Sequence, residues 1–367
     1  MKIETTKERL DEVLTKAHKA TGKNLSLPVL ECFLFKTEKD NFKVVATNLE
    51  LGVEFEVPVK VIKNGEVAVP ADVITSFVSN LPKEEKLIIE HEGNVLKINT
   101  PSTSITIKTH SIDDFPSIPV VNQESSFSLS PKSLTDGLRS VWSSSSSSSI
   151  KPELSSVFMY TKADSVFFVA TDSFRLAEKS VKKVSGDEIE SVLIPFKNIP
   201  EIIRVVENCL DKTVLISVDK NQLSLSTSSG YLTSRLIDGT FPDYTQIIPK
   251  KTTTEVIVLK DELSNALKIG NLFTDEFKQV KVIISTEDKK ILIETKNVHV
   301  GESSVILKGT LEGESISMSF NHKYLIDVFQ SINTDSVSLS FSGPGHPLVI
   351  KGIGDNSFLY LVMPMNK

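Results

Sequence analysis

Cysteine is scarce in this chain. Cys32 and Cys209 are the only two among 367 residues, and they form neither a Cys-x-x-Cys pair nor a disulfide framework. Free thiols suit a reducing compartment, so a cytoplasmic protein is expected. Long apolar runs are missing as well. A membrane-spanning helix needs roughly 18–20 consecutive apolar residues, and the longest candidates here, such as residues 166–170, have the length of a strand. The opening Met-Lys-Ile-Glu-Thr-Thr-Lys has no apolar stretch of secretion-signal type. No membrane partner is expected.

The signatures of catalysis are absent too. His18, His91, His110, His299, His322 and His346 are scattered and make no His-Glu-x-x-His zinc pattern. Thr21-Gly22-Lys23 lacks the upstream glycine of a phosphate-binding loop, and there is no Gly-x-Ser-x-Gly elbow. Ser180-Val-Lys-Lys183 matches Ser-x-x-Lys without companion motifs. Asp113-Asp114 could pass for a carboxylate pair, but a similar Asp-Gly-Thr-Phe-Pro turn recurs at 238–242, so it reads as a turn. Gly343-Pro-Gly-His-Pro347 reads as a hairpin turn. No enzyme, metal or cofactor is expected.

The chain does have enough apolar sequence for real cores: 40% of its residues are hydrophobic and 24% charged. Net charge is −6 and the isoelectric point about 5.7. This weighs against binding nucleic acid with the whole surface but leaves room for a local basic face.

The pattern repeats three times. Amphipathic segments with polar starts lie at 6–14, 130–138 and 260–267. A second set of helical patterns starts at Pro70, Pro195 and Phe320, at intervals of 125 residues. Alternating strands follow these, for example at 86–90 and 95–100 or at 214–218 and 222–227. Val44-Val-Ala-Thr-Asn-Leu aligns with Phe168-Val-Ala-Thr-Asp-Ser, and 291–301 supplies a third strand-turn-strand. The units close on Asp-Phe-Pro (114–116), Thr-Phe-Pro-Asp-Tyr (240–244) and Val-Met-Pro-Met (362–365). The expectation is an α+β fold with two helices plus antiparallel sheets in each repeat, bounded as 1–122, 123–252 and 253–367. The serine run at 143–149 is expected to be a mobile loop.

These features together resemble the bacterial sliding-clamp family, the β subunits of DNA polymerase III. The resemblance rests on the triple repeat, Val-Ala-Thr-Asp-Ser-Phe-Arg-Leu-Ala (169–177), Phe-Pro-Asp-Tyr (241–244) with Ile-Ile-Pro-Lys (247–250), the terminal Val-Met-Pro-Met and the early Leu27-Pro-Val-Leu30. It covers the whole chain. It implies three tandem clamp domains in a head-to-tail dimeric ring. Such a ring encircles double-stranded DNA without reading its sequence and tethers the replicative DNA polymerase. The implied partners are that polymerase, a clamp loader and other clamp-motif proteins. The competing reading is a multi-domain β-rich binding protein or hydrolase whose site carries no visible motif.

The resemblance also implies sites. A peptide-binding groove would use Leu154, Thr171, Ser173, Phe174, Arg175, Leu176, Pro242, Gln246, Ile247, Leu361, Val362, Met363, Pro364 and Met365, with Asn321 and Tyr324 at the rim. The apolar ones could equally be core, and Arg175 could simply pair with Asp172. Ser173-Phe174, Gln246 and the Asn366-Lys367 end depart from the family pattern, so the preferred peptide is expected to differ. On the helix faces opposite the apolar stripes lie Lys16, Lys19 and Lys23, then Lys197 and Arg204, then Lys268 and Lys323. These would face DNA. Asn24 stands where the family often carries a basic contact. Ile105, Ile107, Leu272 and Phe273 would form the dimer contact, with ordinary cores as the alternative.

Overall fold

The computed structural model describes residues 1–23, 26–39, 41–83, 85–122, 125–207 and 209–365. Among these residues lie α1 (Lys7–His18), α2 (Ala71–Ser79), α3 (Pro131–Val141), α4 (Ile199–Glu207), α5 (Lys260–Asn271) and α6 (His322–Asp327). That is two helices per expected repeat. Each follows from local chemistry. In α1, Leu10, Leu14 and Ala17 recur at helical spacing and are fully buried. Proline opens α3 at a position where no amide is needed, and the Ser130 hydroxyl accepts from Ser133 N at 3.0 Å. Asn321 caps α6 by accepting from Lys323 N at 2.9 Å.

The strands form four sheets, each built from antiparallel pairs. Contacts divide the chain into two compact units. The first holds residues 1–135, 183–189 and 197–236, and the second holds 136–182, 190–196 and 237–367. A nine-stranded sheet dominates each unit, and each of these sheets is shared by two repeats. In the first, Leu51–Val57 pairs with Gly230–Arg235, placing Leu51 opposite Ser234. In the second, Arg175–Lys182 pairs with Phe358–Val362, placing Arg175 opposite Val362. The middle repeat therefore gives strands to both units. A five-stranded sheet completes the first unit and a four-stranded sheet completes the second.

Cores follow the period-two pattern of the strands. In the first unit Phe33, Phe35 and Phe42 are fully buried, with Phe35 edge-on to Phe42 at 5.2 Å. In the second, Val169, Leu176, Leu193, Phe241, Tyr244, Val349 and Leu361 form one cluster.

The serine run is not a loose loop at its start. Trp142–Ser144 makes a 3-10 turn, and Ser144 and Ser145 are buried. Ser145 Oγ donates to Ser156 O at 3.0 Å, and Ser146 N donates to Leu154 O at 2.8 Å. Composition misled here because small hydroxyl side chains can satisfy a tight, buried turn as readily as they solvate a loop.

Gly137 lets α3 approach its sheet. A Cβ there would sit 2.4 Å from Cε2 of Phe168, whose ring is fully buried. Gly137→Ala gains about 1 kcal/mol of helix propensity, yet overpacking costs about 1–3 kcal/mol. We expect net destabilisation, read as a lower urea midpoint. A raised midpoint would contradict the close approach.

Candidate functional site

The turn at 171–175 joins two adjacent strands of the second unit, Ser165–Thr171 and Arg175–Lys182. Thr171 Oγ1 donates to Arg175 O at 2.6 Å and accepts from Ser173 N at 3.1 Å. Asp172 Oδ1 accepts from Phe174 N and Arg175 N, both at 3.0 Å. Ser173 takes φ 78°, a left-handed backbone that a short polar residue tolerates better than a bulky one. The result is a rigid turn with Phe174 60% exposed at its tip.

The first unit carries the same turn at 47–51. Thr47 Oγ1 donates to Leu51 O at 3.0 Å, Asn48 Oδ1 accepts from Glu50 N at 3.0 Å and from Leu51 N at 2.8 Å, and Leu49 has φ 74°. Glu50 O accepts from Arg235 N at 2.8 Å, as Phe174 O accepts from Met363 N at 2.8 Å. The repeat visible as Ala-Thr-Asn against Ala-Thr-Asp is therefore a repeat of hydrogen bonds.

Arg175 separates the two copies. Its side chain is 7% exposed. Nε donates to Asp172 Oδ2 at 3.0 Å, Nη1 to Asp327 Oδ2 at 2.6 Å and Nη2 to Ser143 O at 2.6 Å. The guanidinium also lies 4.7 Å from the centre of the Tyr324 ring. Burial disfavours its charge, but Tyr360, Asp327 and Asp172 outweigh that, and its pKa rises above the usual arginine value. Arg175 does pair with Asp172, the plainer of its two sequence readings, and it also holds the Ser143 carbonyl of this chain.

A strap across residues 241–248 packs on the same sheet. Phe241 stacks on Phe158 at 4.7 Å with the rings 1° from parallel. The Tyr244 hydroxyl donates to Glu178 and lies 3.0 Å from the Tyr160 hydroxyl. Burial and the Glu178 carboxylate push the Tyr244 pKa up. Asp243 accepts from Thr245 N and from Gln246 Nε2, at 3.2 and 2.7 Å. The Thr245 hydroxyl, which donates to Asp243 Oδ1 at 2.6 Å, and then Gln246 hold the Asp243 carboxyl below its ordinary value. Pro242, Gln246 and Ile247 are left exposed, Ile247 by 46%.

The expected groove residues thus fall into layers. Ser173, Phe174, Pro242, Gln246 and Ile247 are exposed; Asn321, Tyr324, Met363, Pro364 and Met365 are half-buried. Leu154, Thr171, Arg175, Leu176, Leu361 and Val362 are buried, and Leu176 and Leu361 belong to the core cluster. Met365 N donates to Ser319 O at 2.8 Å, so the chain end is held in place up to Met365. Asn366 and Lys367 lie outside the described residues. Sequence reasoning missed Asp327, Tyr160 and Glu178, none of which carries a local motif, and read Ser143 only as the start of a loop.

The basic residues are less uniform than helix periodicity predicts. Lys19, Lys23, Lys197, Lys268 and Lys323 are exposed. Lys16 is only 15% exposed and pairs with Glu12 at 2.7 Å. Arg204 pairs with Glu201 at 2.6 Å. A carboxylate one turn away neutralises each of these two. Asn24 lies outside the described residues.

Ile105 and Ile107 sit on Ser104–Lys108, an edge strand of the five-stranded sheet. Ile107 is buried and Ile105 half-buried, so one of the pair is core. Leu272 is 69% exposed, and Phe273 is half-buried beside Gly301. Gly301–Leu307 is itself an edge strand of the four-stranded sheet. Phe277, Val300 and Ile306 are also more than 60% exposed in this unit.

Models of the DNA polymerase III β subunit match in order: the N-terminal domain over residues 1–119, the central domain over 128–243 and the C-terminal domain over 245–366. The chain belongs to the DNA polymerase III β-subunit family, the bacterial sliding clamps. It is 24% identical to the beta sliding clamp of Synechococcus elongatus, covering 100% of this chain and 99% of that one. Against the clamp of Vibrio cholerae it is 24% identical with both chains fully covered. Among solved structures, the β subunit of Thermotoga maritima is 30% identical with a TM-score of 0.94, covering 100% of this chain and 99% of that one. The Pseudomonas aeruginosa clamp bound to griselimycin superposes with a TM-score of 0.95 at 23% identity, with both chains fully covered. The α+β fold of three clamp domains expected from the sequence is borne out. This clamp is a DNA polymerase processivity factor in DNA replication and a non-catalytic subunit.

The strap makes a stability prediction. Tyr244→Phe keeps the ring but removes the hydroxyl shared with Glu178 and Tyr160. Losing a buried bond to a charged group costs about 1.5–3 kcal/mol. Chemical denaturation should show that loss, and an unchanged midpoint would contradict the assigned bond.

Proposed function

We propose that two copies of this chain close head to tail into a ring around duplex DNA. Each copy would contribute three clamp domains, 1–122, 123–252 and 253–367. The reading is carried by one observation: the same helix-and-sheet unit recurs three times end to end, in family order, with an edge strand in the first repeat and another in the third. Edge strands pair readily. A head-to-tail contact that closes after two copies leaves no unmatched interface. Ser104–Lys108 with Ile105, and Gly301–Leu307 with Leu272 and Phe273, are the proposed contact surfaces.

DNA contact is proposed through Lys19, Lys23, Lys197, Lys268 and Lys323. Such contacts read phosphate charge, not sequence, and permit sliding. The surface of Phe174, Ile247, Tyr324 and Met363 is proposed to seat a short partner peptide with leucine or phenylalanine anchors. Methionine adapts to such anchors, and exposed aromatic and aliphatic groups supply most of the affinity. The replicative polymerase, a clamp loader and other clamp-motif proteins would compete for it. Griselimycin, the ligand in the Pseudomonas aeruginosa clamp structure, is a ligand to try on this chain. No helix among the described residues is long and apolar enough to cross a membrane. We place the ring in the cytoplasm.

Light scattering tests closure. The mass should be near twice 40.5 kDa and persist on dilution to nanomolar concentration. Leu272→Asp, at an exposed position, should yield a folded monomer. A wild-type monomer at all concentrations would contradict the ring.

Salt dependence tests the basic face. Replacing Lys19 and Lys23 with alanine should flatten the slope of log affinity against log salt by about 1.8 for duplex DNA. An unchanged slope would place the DNA elsewhere.

A further inference from the structure

The groove is built from separate segments, and nothing in the backbone turn alone holds them together. The turn exposes Phe174, α6 presents Tyr324, and the end of α3 leads into the serine run. Arg175 meets all three. Its guanidinium nitrogens reach Asp172 of the turn, Asp327 of α6 and the carbonyl of Ser143, at 3.0, 2.6 and 2.6 Å. It stacks over Tyr324, whose own carbonyl accepts from the Tyr360 hydroxyl at 2.9 Å. A second tie runs parallel, from Ser331 Oγ to Ser140 O at 3.0 Å.

The first unit provides an internal control. Its turn at 47–51 has the same hydrogen bonds and the same left-handed residue, and Leu51 takes the place of Arg175. The backbone geometry therefore does not require an arginine. The guanidinium is found where the turn borders the proposed groove, and its partners lie 32 and 152 residues away in sequence.

We propose that Arg175 is a positioning residue that locks the walls of the groove together, with Asp327 as its indispensable partner, and that it does not itself bind the peptide. This rests on the groove reading above. Its three nitrogens are already engaged and its side chain is 7% exposed, so an incoming peptide meets the surface that Arg175 holds. A binding surface whose walls are fixed in advance loses less freedom when the ligand arrives. Lysine could not replace it, because one ammonium cannot span three partners in a planar fork.

The test uses the full-length protein with Asp327→Asn and Arg175→Lys. Asp327 is not among the proposed peptide contacts. The probe is a fluorescein-labelled hexapeptide with leucine and phenylalanine anchors, followed by anisotropy. Each variant should bind roughly tenfold more weakly, the loss expected from one charge-assisted bond. Amide hydrogen exchange is followed in parallel without peptide. Exchange at Phe174, Arg175 and Met363 should quicken roughly tenfold, on the same scale of lost bonding, with the seam between Leu51–Val57 and Gly230–Arg235 unchanged. Wild-type exchange in Asp327→Asn would overturn the proposal whatever the peptide does. So would wild-type affinity in Asp327→Asn beside a loss in Arg175→Lys, since that pattern marks a direct ligand. Altered exchange with a wild-type protein that binds no peptide would leave the tie standing and overturn the groove.

Discussion

Antiparallel pairing between repeats is the constraint on which the rest of this structure depends. Leu51–Val57 pairs with Gly230–Arg235, and Arg175–Lys182 with Phe358–Val362. Each pairing extends a sheet from one repeat into the next. The middle repeat divides its strands between both units, so its two sheets cannot be completed without its neighbours. Side chains at each seam are then placed by register rather than by local preference. Arg175 faces Val362 for that reason, and the chain end from Met363 to Met365 lies against the turn that exposes Phe174.

Much of this was legible in the sequence, because repetition and periodicity are local signals. Five of the six helices described start within two residues of where the recurring patterns place them; α4 begins at Ile199, after a 3-10 turn at Phe196–Asn198, and the Ala-Thr-Asn and Ala-Thr-Asp turns are bonded alike. The site was legible as a set of positions but not as a set of roles. Leu176 and Leu361 are core, and only the pairing of their strands with neighbours distant in sequence decides that. Arg175 could be seen to neighbour Asp172 at three residues' distance, but its bond to Asp327 spans 152 residues and leaves no trace in spacing. Lys16 shares its face with Glu12, which periodicity shows, but that the two pair, and that Arg204 pairs with Glu201, takes side-chain geometry to see. The serine run was misjudged because composition reports solvation and not which hydroxyls find a buried acceptor.

The arrangement also accounts for a DNA-binding family member with an acidic chain. A net charge of −6 opposes indiscriminate phosphate binding, and the proposed contact would come from exposed lysines, Lys268 and Lys323 on helices and Lys19, Lys23 and Lys197 beside them. In the proposed ring, retention on DNA would fall to closure, and partner capture to the proposed surface beside the buried Arg175 network and the aromatic strap. Charge, topology and packing divide the work, which suits a protein that must hold DNA without gripping it.

The most direct test is a hydrogen-exchange footprint of the wild-type protein with and without a saturating leucine- and phenylalanine-anchored peptide. The account predicts protection at residues 172–175, 244–248 and 361–365, and none at the matching turn at 47–51. Protection at 47–51, or at neither turn, would contradict the claim that only the second seam carries the partner site.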